Sequence, residues 1–128
     1  MQYKNNPLSP HLQIYKWQVS SLLSIAHRIV GVVNILAITL ICIWVFSLLF
    51  GETNYEITRS FLNSFFGKFI IISLCWTFSF HILNEIRHLT WDAGYGFDLK
   101  VAKISGVIAF FGSFILTIIF YLIGKNIF

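Results

Sequence analysis

Residues Ile29–Phe50 read IVGVVNILAITLICIWVFSLLF, 22 residues without a charge. At about 1.5 Å rise per residue, a helix of this length covers about 33 Å, enough to cross a hydrocarbon core about 30 Å thick. Two further runs repeat the pattern. Phe65–Glu85 (FFGKFIIISLCWTFSFHILNE) carries Lys68 near one end and His81 near the other, and Ile104–Gly124 (ISGVIAFFGSFILTIIFYLIG) is again uncharged. A membrane strand needs only about 9–11 residues, so runs of this length predict helices, which satisfy their own backbone groups in lipid. The expected fold is all-α: an integral membrane bundle of three transmembrane helices (about 29–50, 65–85 and 104–124). A short polar N-terminal arm precedes it, and residues 1–128 form a single membrane-anchor domain.

Composition points the same way. The chain has 128 residues, of which 57% are hydrophobic and 11% charged, with 14 Phe and 4 Trp. The mean hydropathy is +0.78. A soluble domain usually carries about 25% charged residues. So short a chain cannot hide this much apolar surface from water. The net charge of +4 comes from cations that flank the apolar runs, as membrane topology requires, and does not point to nucleic acid. Cys42 and Cys75 lie inside apolar runs without CxxC spacing, so they read as small apolar residues and not as a disulfide or zinc site. The first run is too long and starts too late for a secretory signal, and the N-terminal stretch lacks the Arg-rich pattern of a transit peptide. The chain is expected to be retained whole.

Counting cations orients the bundle. Lys4, Lys16, Arg28, Arg87, Lys100 and Lys103 fall on one side, and Arg59, Lys68 and Lys125 on the other. The N-terminus is therefore expected in the cytoplasm, or in the matrix of a mitochondrion. Tyr15, Trp17, Trp91 and Tyr95 would sit at that inner interface.

Polar groups at membrane depth need a reason. Ser24, His27 and Arg28 (i, i+3, i+4) share one helical face at the inner mouth of the first span. That face suits an oxygen-rich ligand such as a quinone carbonyl, a carboxylate or a lipid phosphate. Equally, Arg28 can snorkel as an anchor while Ser24 caps its own helix. The second cluster is HILNEIRHLTWDAG, His81–Gly94. His81 sits about one turn inside the second span, and His88 follows at nearly the same angle. A neutral imidazole in an apolar helix is a good axial ligand for haem iron, or else a buried histidine bonded to a neighbouring helix. Without CxxCH any haem would be b-type. Within one copy, His27, His88 and His11 read as too shallow or as loop residues, so a second ligand from another chain is the simpler expectation. Glu85 can pair with His81 or His88, Asn34 is expected to bond between helices, and Asp92 either supports nearby basic residues or delivers protons.

Together the two clusters resemble the cytochrome b-556 family, the larger membrane-anchor subunit of succinate dehydrogenase (respiratory complex II). NPLSPHLQIYKWQVSSLLSIAHRIV (Asn6–Val30) is similar to that family's first signature, and HILNEIRHLTWDAG to its second. Asn6 stands where the family has Arg, Val30 where it has Ser or Thr, and Glu85 where it has a small residue. A carboxylate there either crowds a porphyrin edge or bonds to the imidazole of His81. The resemblance implies His81 as axial ligand of haem b, with the other ligand on the second, smaller anchor subunit. It also implies His27 near the haem propionates, and Ser24, Arg28 and Asp92 around a ubiquinone site. The iron–sulfur and flavoprotein subunits would dock on the same face. The expected function is that of an electron-transferring anchor which oxidises no succinate itself, in a bacterial inner membrane or, if organelle-encoded, the mitochondrial one. The alternatives are a fumarate reductase anchor, a haem-free anchor, or a small transporter subunit, though the third span has no ionisable residue to line a path.

Overall fold

The computed structural model describes residues 16–127, and every element in that range is helical. The expected N-terminal arm, with His11 and most of the first signature, lies outside the described residues. α1 spans Val19–Ser47, α2 Glu52–Asn63, α3 Phe65–Asp92 and α4 Leu99–Ile127, with a 3-10 turn at Leu48–Phe50 after α1. Three stretches are long and apolar enough to cross a membrane: Val19–Phe50, Phe65–Asp92 and Leu99–Asn126. Among the described residues the long apolar helices agree in number with the expected spans and extend beyond their bounds. α1 begins ten residues before the uncharged run, because Ser20–Arg28 continues the helix at an interface where polar side chains are tolerated. Ser24 therefore does not cap α1. Gln18 occupies the cap position, in extended conformation and without a side-chain bond.

The segment 51–64, expected to be a plain connection, contains α2. Its sequence ETNYEITRSFLN puts Tyr55, Thr58 and Leu62 on one half-buried side, with Glu52, Glu56, Arg59 and Asn63 exposed. Charge hides such a helix from a hydropathy scan, and at about 18 Å it is too short to cross. Gly51 makes the turn into it at φ +101°, a conformation that suits a residue without Cβ. At the other end Ser64 serves both helices. Its Oγ donates to Phe61 O at 2.6 Å and accepts the Gly67 N–H at 3.2 Å, capping α3.

α3 is the central element and touches α1, α2 and α4. Both long pairings are antiparallel, since His27 meets His81 and Thr117 meets Ser79. Small residues make the α3–α4 seam. Ser79 and Ser113 are fully buried, Thr77, Ala109 and Thr117 nearly so, and Thr117 Oγ1 lies 3.5 Å from Ser79 Oγ. Small side chains bring helices close where lipid offers no hydrophobic drive. Trp76, Phe80, Phe110 and Phe114 fill the widening above that seam, with centroids 5.4–6.2 Å apart. α1 contributes far less, burying only Leu23, Val30 and Ala37. Most large apolar side chains face outward, Phe65 at 81% and Leu49 at 76% among them, as befits a surface solvated by lipid. Both cysteines are free. Asn34 does not make the expected interhelical bond: its Oδ1 is buried without a hydrogen-bond partner among the described residues.

Gly67 is the tightest corner. A Cβ there would fall 2.2 Å from Phe61 O and 2.6 Å from Leu62 Cα, both backbone, whereas one at Gly124 would meet nothing within 4 Å. Gly67→Ala is therefore expected to destabilise the protein by about 1–3 kcal/mol through overpacking. Thermal unfolding in detergent should show a lowered midpoint for Gly67→Ala and none for Gly124→Ala.

Candidate functional site

The antiparallel crossing of α1 and α3 sets His27 against a stripe of α3 carrying His81, Glu85 and His88 at i, i+4 and i+7. The imidazoles form a stack. His27 lies 4.5 Å from His81 at an interplanar angle of 5°, and 5.2 Å from His88 at 24°. His88 continues to Trp91 at 5.1 Å, and the Arg87 guanidinium covers Trp91 at 4.4 Å. His88 lies inside α3, not on a connection as the sequence reading had it, and its Nδ1 meets Asn84 O at 2.7 Å. Trp91 Nε1 donates to Gly96 O at 3.1 Å, tying the following turn to this end of the bundle.

Glu85 reaches the cluster from the half-exposed side. Its Oε1 lies 3.0 Å from His27 Nε2 and 3.7 Å from His81 Nε2. The carboxylate thus bonds across helices to α1 more closely than to either histidine on its own helix, a pairing that spacing along α3 could not reveal. The contact with His27 is not aligned as a hydrogen bond, so His27 Nε2 and His81 Nδ1 both remain buried without hydrogen-bond partners among the described residues. Gly31, one turn beyond His27, faces the same ring: a Cβ there would make an ordinary contact, 3.6 Å from His81 Cε1.

Chemically, this is an imidazole-rich donor set. Ligating atoms of His27, His81 and Glu85 lie within 4.8 Å of one another, and nitrogen donors of this kind suit iron, copper or zinc over calcium. A group held through one imidazole fits the unpartnered nitrogens. Two trans ligands on one iron are another matter. An imidazole lone pair lies in the ring plane, and rings stacked 5° from parallel point theirs side by side, not at each other. His27 is therefore not poised as the trans partner of His81.

Ser24 and Arg28 flank His27 on the exposed side of the same turn of α1, and Asp92 is exposed at the last residue of α3. None of the three enters an ion pair among the described residues. The site residues read from sequence thus fall at one end of the bundle. His27 and His81 touch, while Ser24, Arg28 and Asp92 are open to whatever lies beside the chain. Neither of the two cavities described adjoins them: one, of about 590 Å³, lies between α1 and α2 near Cys42 and Asn54, and the other between α3 and α4.

Sequence reading missed the support beneath the stack. Asn84, fully buried, donates to Phe80 O at 3.0 Å and accepts from Arg87 NH1 at 3.3 Å. Arg87 also donates from Nε to Ser105 Oγ (3.1 Å) and from NH2 to Ala102 O (3.2 Å). The available signal was the pair of polar residues flanking Glu85 at 84 and 87, on a helix otherwise apolar enough to span.

Comparison with known proteins adds an independent finding. The family described as succinate dehydrogenase/fumarate reductase transmembrane subunit matches residues 2–120. The chain is 37% identical over 119 residues to the succinate dehydrogenase cytochrome b556 subunit of Rickettsia felis, covering 93% of each. It is 32% identical to the subunit of the same name from Paracoccus denitrificans, covering 90% of this chain and 88% of that one. The mitochondrial cytochrome b560 subunit of succinate dehydrogenase from Mus musculus is 38% identical over 80% of this chain and 62% of its own length.

The support and the cluster separate by stability. Glu85→Ala is expected to shift unfolding free energy by less than about 1 kcal/mol, because half-exposed ion pairs contribute little. Asn84→Leu should cost about 1–3 kcal/mol, since it strands a buried donor of Arg87. Thermal midpoints of the two variants, measured side by side, check this order.

Proposed function

The chain belongs to the succinate dehydrogenase/fumarate reductase transmembrane subunit family and is a membrane anchor of succinate dehydrogenase; we propose that it shares a b-type haem with a second anchor subunit and lines a ubiquinone-reduction site. One observation carries the reading: a stacked pair of imidazoles on two apolar helices leaves His27 Nε2 and His81 Nδ1 without hydrogen-bond partners among the described residues, His27 Nε2 meeting only the Glu85 carboxylate.

His81 would hold the haem iron through its imidazole, and its stacking on His27 supports a second ligand from the other anchor subunit. His27, with its orphaned nitrogen, would donate to the propionates. When bound, the haem supplies a one-electron redox site inside the bilayer. Glu85 meets both imidazoles at Nε2, which leaves His81 Nδ1 as the nitrogen without a partner among the described residues.

Ser24 and Arg28 present a hydroxyl and a guanidinium from one exposed turn, where they would donate hydrogen bonds to the quinone oxygens. Donors fixed in a low-dielectric site stabilise charge as it develops on those oxygens. Arg28 orients and attracts but is not the proton source. Protons come instead from water at the open end of the bundle or from Asp92. Succinate oxidation belongs to the flavoprotein subunit and electron relay to the iron–sulfur subunit, both docked at the end that carries these residues. The cation count favours that end facing the cytoplasm of a bacterium or the mitochondrial matrix. The whole of 1–128 works as one membrane-anchor unit.

Two substitutions test the reading in the assembled complex. Arg28→Leu should lower quinone reduction by about 10²-fold, the scale of one lost oxyanion-type donor, while the complex still assembles; unimpaired reduction overturns the quinone assignment. For His81→Leu, the b-type absorption spectrum should weaken or disappear. An unchanged haem content would end the axial-ligand claim.

A further inference from the structure

Arg87 is the charged side chain that the described residues bury, with 7% of its surface exposed. Its acceptors, Asn84 Oδ1, Ser105 Oγ and Ala102 O, are all neutral, and no ion pair among the described residues includes it. A guanidinium has five N–H donors, so two remain after these three bonds. Trp91 covers one face of the guanidinium at 4.4 Å, and no anion balances its charge among the described residues. Arg87 also opens onto a second feature. A cavity of about 440 Å³ runs between α3 and α4, with Arg87, Thr90 and Ser105 at its mouth. Beyond them its walls are apolar, from Leu83 and Gly112 to Ile119. Ser105 to Ile119 is about 21 Å of helix. At the same end Arg28, Lys100 and Lys103 are exposed, and with Arg87 they outnumber the exposed Glu85, Asp92 and Asp98.

A cationic mouth on a long aliphatic groove describes the complement of an amphiphile with one anionic head and one hydrocarbon tail. We infer that the α3–α4 groove holds an acyl chain of an anionic phospholipid, whose phosphate meets Arg87. A neutral isoprenoid tail would fill the apolar length and leave the guanidinium without its anion. The site is separate from the histidine stack and stands whether or not the redox reading does. Filling it would reinforce the α3–α4 seam from outside while Asn84, Ser105 and Ala102 hold it from within.

The assembled complex, washed in mild detergent and returned to bilayers of mixed phosphatidylglycerol and phosphatidylcholine, tests this by counting the lipids retained on re-extraction. Phosphatidylglycerol should be held about fivefold over phosphatidylcholine, the preference one cation near a headgroup confers. Free inorganic phosphate should not displace it. Gly112→Leu, whose Cβ would sit 3.5 Å from Leu83 Cδ1, should block the groove and abolish the retention, with haem content and quinone reduction intact. Arg87→Gln should make the two lipids equivalent. Should either variant fail to assemble, the wild-type ratio still decides. Equal retention by the wild type overturns the proposal, as does undiminished retention in Gly112→Leu. So does cross-linking of Ile108→Cys, inside the groove, to another subunit.

Discussion

A hydroxyl in hydrocarbon has one cheap partner, the carbonyl a turn behind it, and this chain uses that solution throughout. Thr39 donates to Ile35 O, Ser73 to Phe69 O, Ser79 to Cys75 O and Thr117 to Ser113 O. Each such bond hides a polar group without enlisting another helix. What remains to join the helices is close contact between small side chains, and the α3–α4 seam is built on it. The histidine stack depends on this arrangement indirectly. α3 is held in place by α4, and so presents a fixed stripe of His81, Glu85 and His88 to α1.

Polar residues that do not fold back on their own helix are then conspicuous. Arg87 bridges α3 and α4, Glu85 bridges α3 and α1, and His27 with His81 lacks complete hydrogen bonding. Arg87 has a structural use inside the chain as well as an unmet charge. The imidazoles have little structural use that an apolar pair would not serve better. Unsatisfied nitrogens in a buried stack are tolerable where something outside the chain completes them, which is why this end of the bundle reads as a shared site.

Hydropathy made the three crossing helices legible, because length and lack of charge are properties of a segment alone. The motif around Ser24, His27 and Arg28, and that around His81, made the family legible through resemblance. Three things escaped. α2 is polar enough to pass for a loop, and its apolar residues mark one side of a short helix without making an apolar run. The Glu85–His27 contact joins residues far apart in sequence, so it depends on how α1 and α3 are rotated. Rotation is hard to read from α3, where apolar residues occupy every face and no stripe marks the inside. Arg87 escaped for the same reason: nothing in RHLTWD says that α4 will close over it.

Leu23, Val30 and Ala37 recur every seventh residue, so α1 leans on its neighbours along a line one side chain wide. Such a contact resists sliding poorly and peeling hardly at all. Of the long helices, α1 would be the first to swing outward, parting His27 from the stripe of α3 that it faces.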